Sequence, residues 1–275
     1  GSGKTAAFAL PILQALDLDL NAAQALVLTP TRELALQVAE AFHNYARHLG
    51  RVKVLPVYGG QAIQQQLVRL RTGMQVIVGT PGRVMDHLRR GTLDFSQLRT
   101  IVLDEGDEML RMGFIDDIEW IFGQAPEAAQ KALFSATMPE EIRRIADRYL
   151  SNPATVQTIQ RTLTVPTVDQ QYVLVPEPAK LDALAQILEL EAAPGEGVLV
   201  FTRTKTAAAA LAERLNARGY AAEALHGDLN QAQRENVIRR LRTGQLDLVT
   251  ATDVAARGLD VERISLVVNY HMPYD

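Results

Sequence analysis

Short hydrophobic runs alternate with amphipathic segments along the whole of this 275-residue chain. Runs such as 25–29 and 197–202 place apolar residues side by side, as strands buried on both faces of a parallel sheet do. The segment from Thr31 to Gly50 instead repeats apolar residues at helical spacing, with Thr31 suited to cap its start. Repeated alternation of strand and helix predicts an α/β fold in which helices cover both faces of a parallel sheet.

The pattern occurs twice, on either side of a polar, threonine-rich stretch. The predicted strands are 25–29, 53–60, 76–81, 101–105 and 131–137 in the first half, and 171–175, 197–202, 221–225, 246–252 and 265–270 in the second. The predicted helices are 31–50, 62–72, 82–90, one starting at Pro139, 180–191, 206–218 and 231–242. We therefore predict a first domain over 1–152, a linker over 153–168 and a second domain over 169–275.

Composition narrows the classes of protein to consider. With 47% hydrophobic residues, the chain has enough apolar material for two cores. It contains no cysteine, which excludes disulfides and thiolate metal sites, and it shows no signal peptide and no apolar run near the ~18 residues of a membrane span. These features predict a cytoplasmic protein without a membrane partner. A net charge of -4 argues against a broad basic field, so any contact with nucleic acid must be local.

Two segments predict hydrolysis of a nucleoside triphosphate. GSGKT at 1–5 has the second half of a phosphate-binding loop, in which glycines let backbone N–H groups approach phosphates, a lysine neutralises charge and a threonine hydroxyl binds magnesium. DEGD at 104–107 follows an apolar strand, where one carboxylate can hold the metal while its neighbour orients water. Taken singly, these carboxylates also fit solvated strand-end charges, and Ser135 and Thr137 fit simple helix capping.

An ordered set of short blocks extends this interpretation to the whole chain. The blocks are GSGKT (1–5), PTRELA (30–35), GG (59–60), TPGR (80–83), DEGD (104–107), SAT (135–137), FTRT (201–204), HGDLNQAQR (226–234) and ATDVAARGLD (251–260). In this order and spacing they resemble the DEAD-box RNA helicases of superfamily 2. The resemblance implies two tandem RecA-like domains, each a parallel sheet with helices on both faces. In that family the domains close around ATP and single-stranded RNA and separate short duplexes locally.

The chain departs from the family pattern at its ends and within one motif. It begins inside the phosphate loop and stops before the family's arginine-rich HRIGRTGR block, so we expect the first and second domains to be incomplete. Because an arginine finger typically contributes ~10³–10⁵ in turnover, we expect residues 1–275 alone to hydrolyse ATP poorly. Gly106 stands where the family has alanine, and we expect the adjacent carboxylates to keep their places.

The resemblance assigns catalytic roles to Lys4, Asp104 and Glu105. Lys4 would hold the β and γ phosphates, and Glu105 would orient and deprotonate the attacking water. Thr5 and Asp104 would bind Mg²⁺. The residues expected to bind ATP are Gly1, Ser2, Gly3, Lys4, Thr5, Asp104, Gly258 and Asp260. The residues expected to couple the nucleotide site to duplex opening are Asp107, Ser135 and Thr137.

The resemblance also implies RNA contacts in both domains. They are Pro30, Thr31, Arg32, Gly59, Gly60, Thr80, Gly82 and Arg83 in the first domain, and Arg203, Gly227, Gln231, Arg234 and Thr252 in the second. Glycines, helix N-termini and arginines present donors to phosphates without reading bases, which predicts sequence-independent RNA binding. A few donors aimed at phosphates are also compatible with an acidic chain. Nothing in the sequence specifies a protein partner.

The leading hypothesis is an ATP-dependent RNA helicase that binds single-stranded RNA through its backbone and couples local duplex separation to ATP hydrolysis. An ATP-gated RNA clamp, which retains RNA without productive unwinding, would use the same motifs. A DNA translocase of the same superfamily is disfavoured by PTRELA and SAT. A metabolic kinase is disfavoured because it has no use for the second α/β domain.

Overall fold

The structure is a computed structural model that describes residues 3–157, 168–193, 195–256, 259 and 261–272. The chain divides into two units, Gly1–Pro153 and Ala154–Asp275, and each is built around its own parallel sheet. Most of the predicted linker, 158–167, falls outside the described residues. None of the described helices combines the length and the apolar character that crossing a bilayer demands.

The sheet of the first unit has the strand order β2-β3-β1-β4-β5, and every neighbouring pair is parallel. Its strands are β1 (Ala25–Leu28), β2 (Val54–Val57), β3 (Val76–Gly79), β4 (Thr100–Asp104) and β5 (Gln130–Phe134). Its helices are α1 (Lys4–Ala15), α2 (Arg32–Tyr45), α3 (Ile63–Leu70), α4 (Pro81–Arg89), α5 (Gly106–Arg111), α6 (Ile115–Gln124) and α7 (Glu140–Tyr149), with a short 3-10 turn at Ala46–His48. The predicted strands of this half are confirmed, whereas α1, α5 and α6 were not predicted.

Alternate residues of each strand enter opposite cores. On β1, Leu26 and Leu28 join one core, while Ala25 and Val27 join the other. Helices α4 to α7 close the first core, and α1 and α2 close the second. Because both faces of the sheet are covered, every strand position favours an apolar residue, which explains the continuous hydrophobic runs. The predicted α/β class is confirmed.

The second unit repeats this plan with the strand order β7-β8-β6-β9. Its strands are β6 (Gly197–Phe201), β7 (Ala222–Leu225), β8 (Leu248–Ala251) and β9 (Ile264–Asn269), and its helices are α8 (Lys180–Glu191), α9 (Lys205–Asn216), α10 (Gln231–Arg242) and α11 (Asp253–Ala256), with a 3-10 turn at Glu177–Ala179. Val198 and Val200 pack with α8 and α9, whereas Leu199 packs with α10 and α11. Helices therefore cover both faces of this sheet as well.

The predicted strand at 171–175 is wrong. The described residues around it form no ladder, and Tyr172 and Leu174 are 85% and 87% exposed. Its aromatic and β-branched composition is typical of strands, but a strand also needs a neighbour to receive its backbone hydrogen bonds. No strand of the described part of the chain lies beside residues 171–175, so this segment does not join a sheet.

Parallel pairing places the functional segments. In both sheets the carboxyl ends of the strands meet at one edge, the usual position of ligand sites in open α/β sheets. Gly3, Lys4 and Thr5 precede all of the strands, but the other segments with predicted site residues lie at or directly after the ends of β1, β2, β3, β4 and β5 in the first unit, and of β6, β7 and β8 in the second. Each unit therefore gathers these segments along a single edge.

Candidate nucleotide and RNA site

The first element of the site is the start of α1. Gly3 precedes the helix with φ at +75°, a left-handed conformation that favours glycine, and its carbonyl accepts the Ala7 N–H at 3.0 Å. Among the described residues, no atom comes within 4 Å of a Cβ built on Gly3, so the backbone there is open to a ligand. Lys4 and Thr5 form the first helical positions, where unpaired N–H groups favour phosphate. Gly1 and Ser2 lie outside the described residues.

Aromatic packing holds α1 next to the sheet. The Phe8 ring meets the Phe134 ring of β5 edge-on, with centroids 5.2 Å apart, and lies 6.3 Å from the Phe42 ring of α2. These contacts bury the first turns of the helix on their inner side, and Phe8 itself is buried. The start of α1 is thereby fixed at the end of the sheet where β5 lies.

The second element is the acidic pair at the end of β4. Asp104 is the last residue of the strand and only 4% exposed. Glu105 adopts φ 55° and ψ 51°, a left-handed conformation that is unfavourable for a residue with a side chain. This strained residue turns the chain from β4 into α5, so the two carboxylates follow each other at the strand's exit.

The electrostatics of this pair fit a bound cation. Burial, together with the neighbouring Glu105 charge, raises the pKa of Asp104 to about 6 although Lys4 acts in the opposite direction. Burial also raises the pKa of Glu105, again against the effect of Lys4. Ionising these two carboxyl groups is costly because they are withdrawn from water, and the positive charge of Lys4 does not offset that cost. The described residues hold no cluster of three or more acidic or histidine ligands, which is compatible with Mg²⁺ because that ion usually takes one or two carboxylates plus phosphates.

The third element links α5 to the end of β5. Asp107 Oδ2 accepts hydrogen bonds from the Thr137 N–H at 3.0 Å and the Thr137 hydroxyl at 2.8 Å, and the Asp107 N–H donates to Ser135 Oγ at 3.0 Å. Burial opposes ionisation of Asp107, but the bonds from Thr137 and Ser135 outweigh it and lower the pKa. The structure thus brings the three predicted coupling residues into one charge-assisted cluster.

A methyl group at position 106 would fit closely against two side chains of the core. A Cβ built there lies 3.3 Å from Leu103 Cδ2 and 3.6 Å from Ile142 Cδ1 on α7, and the backbone conformation is an ordinary one. The end of the Leu103 side chain must shift by a few tenths of an ångström to accept this methyl group, and with that shift we expect Gly106→Ala to stabilise the first unit by about 0.4–1 kcal/mol, because alanine loses less entropy on folding. Urea unfolding followed by the fluorescence of Trp120, the only tryptophan in the sequence, checks this.

Gly79→Ala is the matched control for that variant. A Cβ at position 79 would lie 2.7 Å from both Val57 O and Val84 Cγ2, so the same chemical change should destabilise the unit. Equal destabilisation by both alanines would show that Leu103 does not make room for the methyl group at position 106.

The predicted RNA residues of the first unit follow β1, β2 and β3, which are adjacent in the sheet. Thr31 caps α2 by accepting the Leu34 N–H at 3.2 Å. Gly60 has φ at +77°, and Gly82 lies in the first turn of α4 directly after Pro81. The full set at this edge is Pro30, Thr31, Arg32, Gly59, Gly60, Thr80, Gly82 and Arg83. Two helix N-termini and a glycine turn therefore stand side by side next to the acidic pair.

Three residues that sequence reasoning missed hold these segments together. Tyr58 lies beneath the Arg32 guanidinium, whose Cζ is 4.3 Å from the ring centroid. Gln66 is buried on α3 and hydrogen-bonded to the Tyr58 carbonyl, to Arg83 and to His87. A signal was available, because Gln66 and His87 are polar residues at core-facing positions of otherwise amphipathic helices.

The predicted RNA residues of the second unit also follow strand ends. Arg203 comes after β6 and donates from Nε to the Met272 carbonyl at 2.7 Å. Arg234 on α10 donates to the Ala255 carbonyl at 3.0 Å. Gly227 follows β7, Gln231 opens α10 and Thr252 follows β8. The two residues predicted to approach ATP in this half, Gly258 and Asp260, lie outside the described residues.

Comparisons with family models and with solved structures both find helicases. The family model described as DEAD/DEAH box helicase matches residues 1–145, and the model described as helicase conserved C-terminal domain matches 179–275. Among solved structures, Saccharomyces cerevisiae Dbp5 bound to RNA and ADP BeF3 is 31% identical with a TM-score of 0.88, covering 100% of this chain and 69% of that one. A DEAD box protein from Methanococcus jannaschii is 40% identical with a TM-score of 0.56, covering 99% of this chain and 72% of that one.

The similar curated proteins are longer than this chain. The ATP-dependent RNA helicase DeaD of Escherichia coli K12 is 56% identical over all 275 residues, which span 43% of its length. The protein of the same name from Mycobacterium tuberculosis H37Rv is 54% identical, and the chain spans 48% of it. With a family model over more than half of its residues and this identity along its whole length, the chain belongs to the DEAD/DEAH box helicase family.

Proposed function

We propose that this chain is the catalytic core of an ATP-dependent RNA helicase. It binds ATP with Mg²⁺, binds single-stranded RNA through the sugar-phosphate backbone, and couples hydrolysis to local separation of short duplexes. The observation that carries the proposal is the arrangement along one sheet edge of the first unit. There the buried Asp104 and the half-buried Glu105 lie within reach of the Lys4 charge, and the adjacent strands carry the coupling cluster and the RNA segments.

The nucleotide residues have separable tasks. The N–H groups of Gly3 and of the first turn of α1 bind phosphate oxygens, and Lys4 adds a positive charge there. Thr5 and Asp104 hold Mg²⁺, which when bound neutralises charge on the phosphates. Glu105, aimed by its left-handed backbone, orients the attacking water and takes its proton.

The coupling cluster connects the nucleotide site to the segment that follows β5. Asp107 lies two residues beyond Glu105, and its carboxylate is held by Thr137 at the end of β5. A movement of the residues at the end of β4 would therefore be transmitted through these hydrogen bonds to the segment that follows β5. Asp107, Ser135 and Thr137 transmit the state of the nucleotide in this way.

RNA binding is proposed to be independent of sequence. The first unit presents two helix N-termini, a glycine turn and two arginines, and each of these groups binds phosphate rather than base edges. The second unit adds Arg203, Gly227, Gln231, Arg234 and Thr252. Oligonucleotides of equal length and different base sequence should consequently bind with similar affinity.

We expect Lys4→Ala to weaken ATP binding about tenfold or more, because a charge-assisted contact to phosphate is lost. Isothermal titration with ATP and Mg²⁺ measures the change. Lys131→Ala is the matched control, since Lys131 lies near the opposite end of β5 and donates to the Ala129 carbonyl. Unchanged affinity in the Lys4 variant would remove Lys4 from the site.

The helicase is distinguished from an ATP-gated clamp by its products. The test is to measure strand separation of a short RNA duplex by the full-length protein with ATP, and RNA retention with a nonhydrolysable ATP analogue. Strand separation supports the helicase. Tight retention without separation supports the clamp.

A further inference from the structure

The Gln66 side chain is buried beneath the RNA segments of the first unit. It is 2% exposed, and its Nε2 donates to the Tyr58 carbonyl at 2.9 Å and to Gln61 Oε1 at 3.2 Å. Both acceptors belong to the segment that contains the Gly59-Gly60 turn. Since the amide nitrogen is committed to this segment, the orientation of the amide oxygen is fixed as well.

That oxygen accepts two further hydrogen bonds. Arg83 Nη1 lies 3.2 Å from Gln66 Oε1, and His87 Nε2 lies 2.9 Å from it. A carbonyl oxygen only accepts, so His87 carries its proton on Nε2. The ring is fully buried, and burial together with the Arg83 charge lowers the pKa of His87, which keeps it neutral. Nδ1 is then an acceptor only, and the Thr92 hydroxyl, which has a single proton, lies 2.9 Å from Nδ1 and 3.0 Å from the His87 carbonyl.

Arg83 is held by neutral partners only. Besides Gln66, its Nη1 and Nη2 both donate to the Gln61 carbonyl at 3.2 Å. Within the described residues its hydrogen bonds include no carboxylate, and nearby Asp86 is paired with Arg90 at 2.6 Å. The guanidinium is thus fixed in direction without a hydrogen-bonded carboxylate, although the Asp86 charge acts on it from a distance, and a phosphate can therefore still pair with it.

We propose that Gln66 is a positioning residue for RNA binding. Resting on the proposed RNA-binding function, this inference adds that Gln66, held by His87, fixes the Arg83 guanidinium and the 59–60 turn relative to each other. The neutral amide matters, because a carboxylate at this position would pair with Arg83 and compete with the RNA phosphate. Gln66 is proposed to contact no RNA itself and to act through Arg83 and the 59–60 turn.

Gln66→Met tests the proposal, with Gln75→Met as its matched control. Gln75 is 1% exposed, accepts the Lys53 N–H and donates to the Leu18 carbonyl, but it precedes β3 and so lies at the opposite edge of the sheet. Both variants remove a buried glutamine amide, so both lose comparable stability, which Trp120 fluorescence measures. We expect only Gln66→Met to weaken RNA binding, by about tenfold.

The affinity is measured by anisotropy of labelled oligouridine with a nonhydrolysable ATP analogue. Gln66→Met should weaken RNA binding less in the Arg83→Ala background than in the wild type, because the part of its effect that depends on Arg83 is then already lost and only its effect on the 59–60 turn remains. Gln66→Glu, which keeps a polar group, should also bind RNA more weakly and show a shallower salt dependence, by about one phosphate contact.

Three results would overturn the inference. Equal RNA affinity of the Gln66 and Gln75 variants would show that Gln66 only supports folding, and full additivity with Arg83→Ala would show that it does not act through Arg83. Unchanged affinity in Arg83→Ala alone would instead remove Arg83 from the proposed RNA site. The Arg83→Ala result therefore tests the proposed RNA site, whereas the two Gln66 results test the positioning role of Gln66.

Discussion

Glu105→Gln should reduce RNA-stimulated ATP hydrolysis about 10²–10⁴-fold while ATP and RNA still bind. Glutamine keeps the size of the side chain, but it cannot take a proton from water. Burial raises the pKa of Glu105, which brings this carboxylate nearer to the pH at which a general base is most effective. Phosphate release by the full-length protein measures turnover, and separate titrations measure nucleotide and RNA affinity.

Glu108→Gln makes the same chemical change one turn further along α5 and serves as the control. Glu108 lies 3.6 Å from Arg111, and it has no assigned part in the reaction. This variant should keep most of the hydrolysis. Because Glu105→Gln retains the left-handed backbone and removes a carboxylate whose pKa is raised by burial, its unfolding free energy at neutral pH should be at least that of the wild type. Rapid release of RNA from the ATP-bound Glu105 variant would contradict the assigned role.

Asp104→Asn should stabilise the metal-free first unit by roughly 2–3 kcal/mol at neutral pH. The folded pKa of Asp104, about 6, exceeds its ordinary value of 3.8. Between these values the folded state holds a proton that the unfolded state has released, so wild-type stability falls as pH rises through this window. Asparagine does not ionise and escapes this loss. Urea unfolding of both proteins in chelator, followed by Trp120 fluorescence from pH 4 to 8, measures the difference.

Asp107→Asn should behave in the opposite way. The folded pKa of Asp107 is lowered by Thr137 and Ser135 despite burial, so its ionised form stabilises the fold above the ordinary pKa and that contribution is lost as pH falls. The variant should therefore be less stable than the wild type at neutral pH.

The Asp104 prediction has its own contradicting outcome. If the difference in unfolding free energy between Asp104→Asn and the wild type does not vary with pH, desolvation of the Asp104 carboxylate is not its cause.

The strands of this fold could be predicted because both sheet faces are covered. A run such as 25–29 favours a buried strand over a helix because it is short, apolar and followed by a cap such as Thr31. Parallel pairing then requires that the residues after each strand share one edge. The positions of Asp104, Thr31 and Thr80 at that edge follow from the sequence for this reason.

Other elements depend on tertiary contacts, which a local sequence pattern does not reveal. Helix α5 spans only Gly106–Arg111 and begins with glycine, so its stability comes from packing against α7 rather than from propensity. The 171–175 segment has strand composition but no neighbour. The contacts between Gln66, His87 and Arg83 join α3 to α4, and only the folded sheet reveals which polar residues meet.

The confinement of the site to one sheet edge has a practical consequence for spectroscopy. The chain has no cysteine, so a single introduced thiol is a unique attachment point for a dye. Gln97 is exposed and precedes β4, at the edge opposite the acidic pair. A fluorophore on Gln97→Cys would report on the first unit from the side that neither nucleotide nor RNA is proposed to occupy.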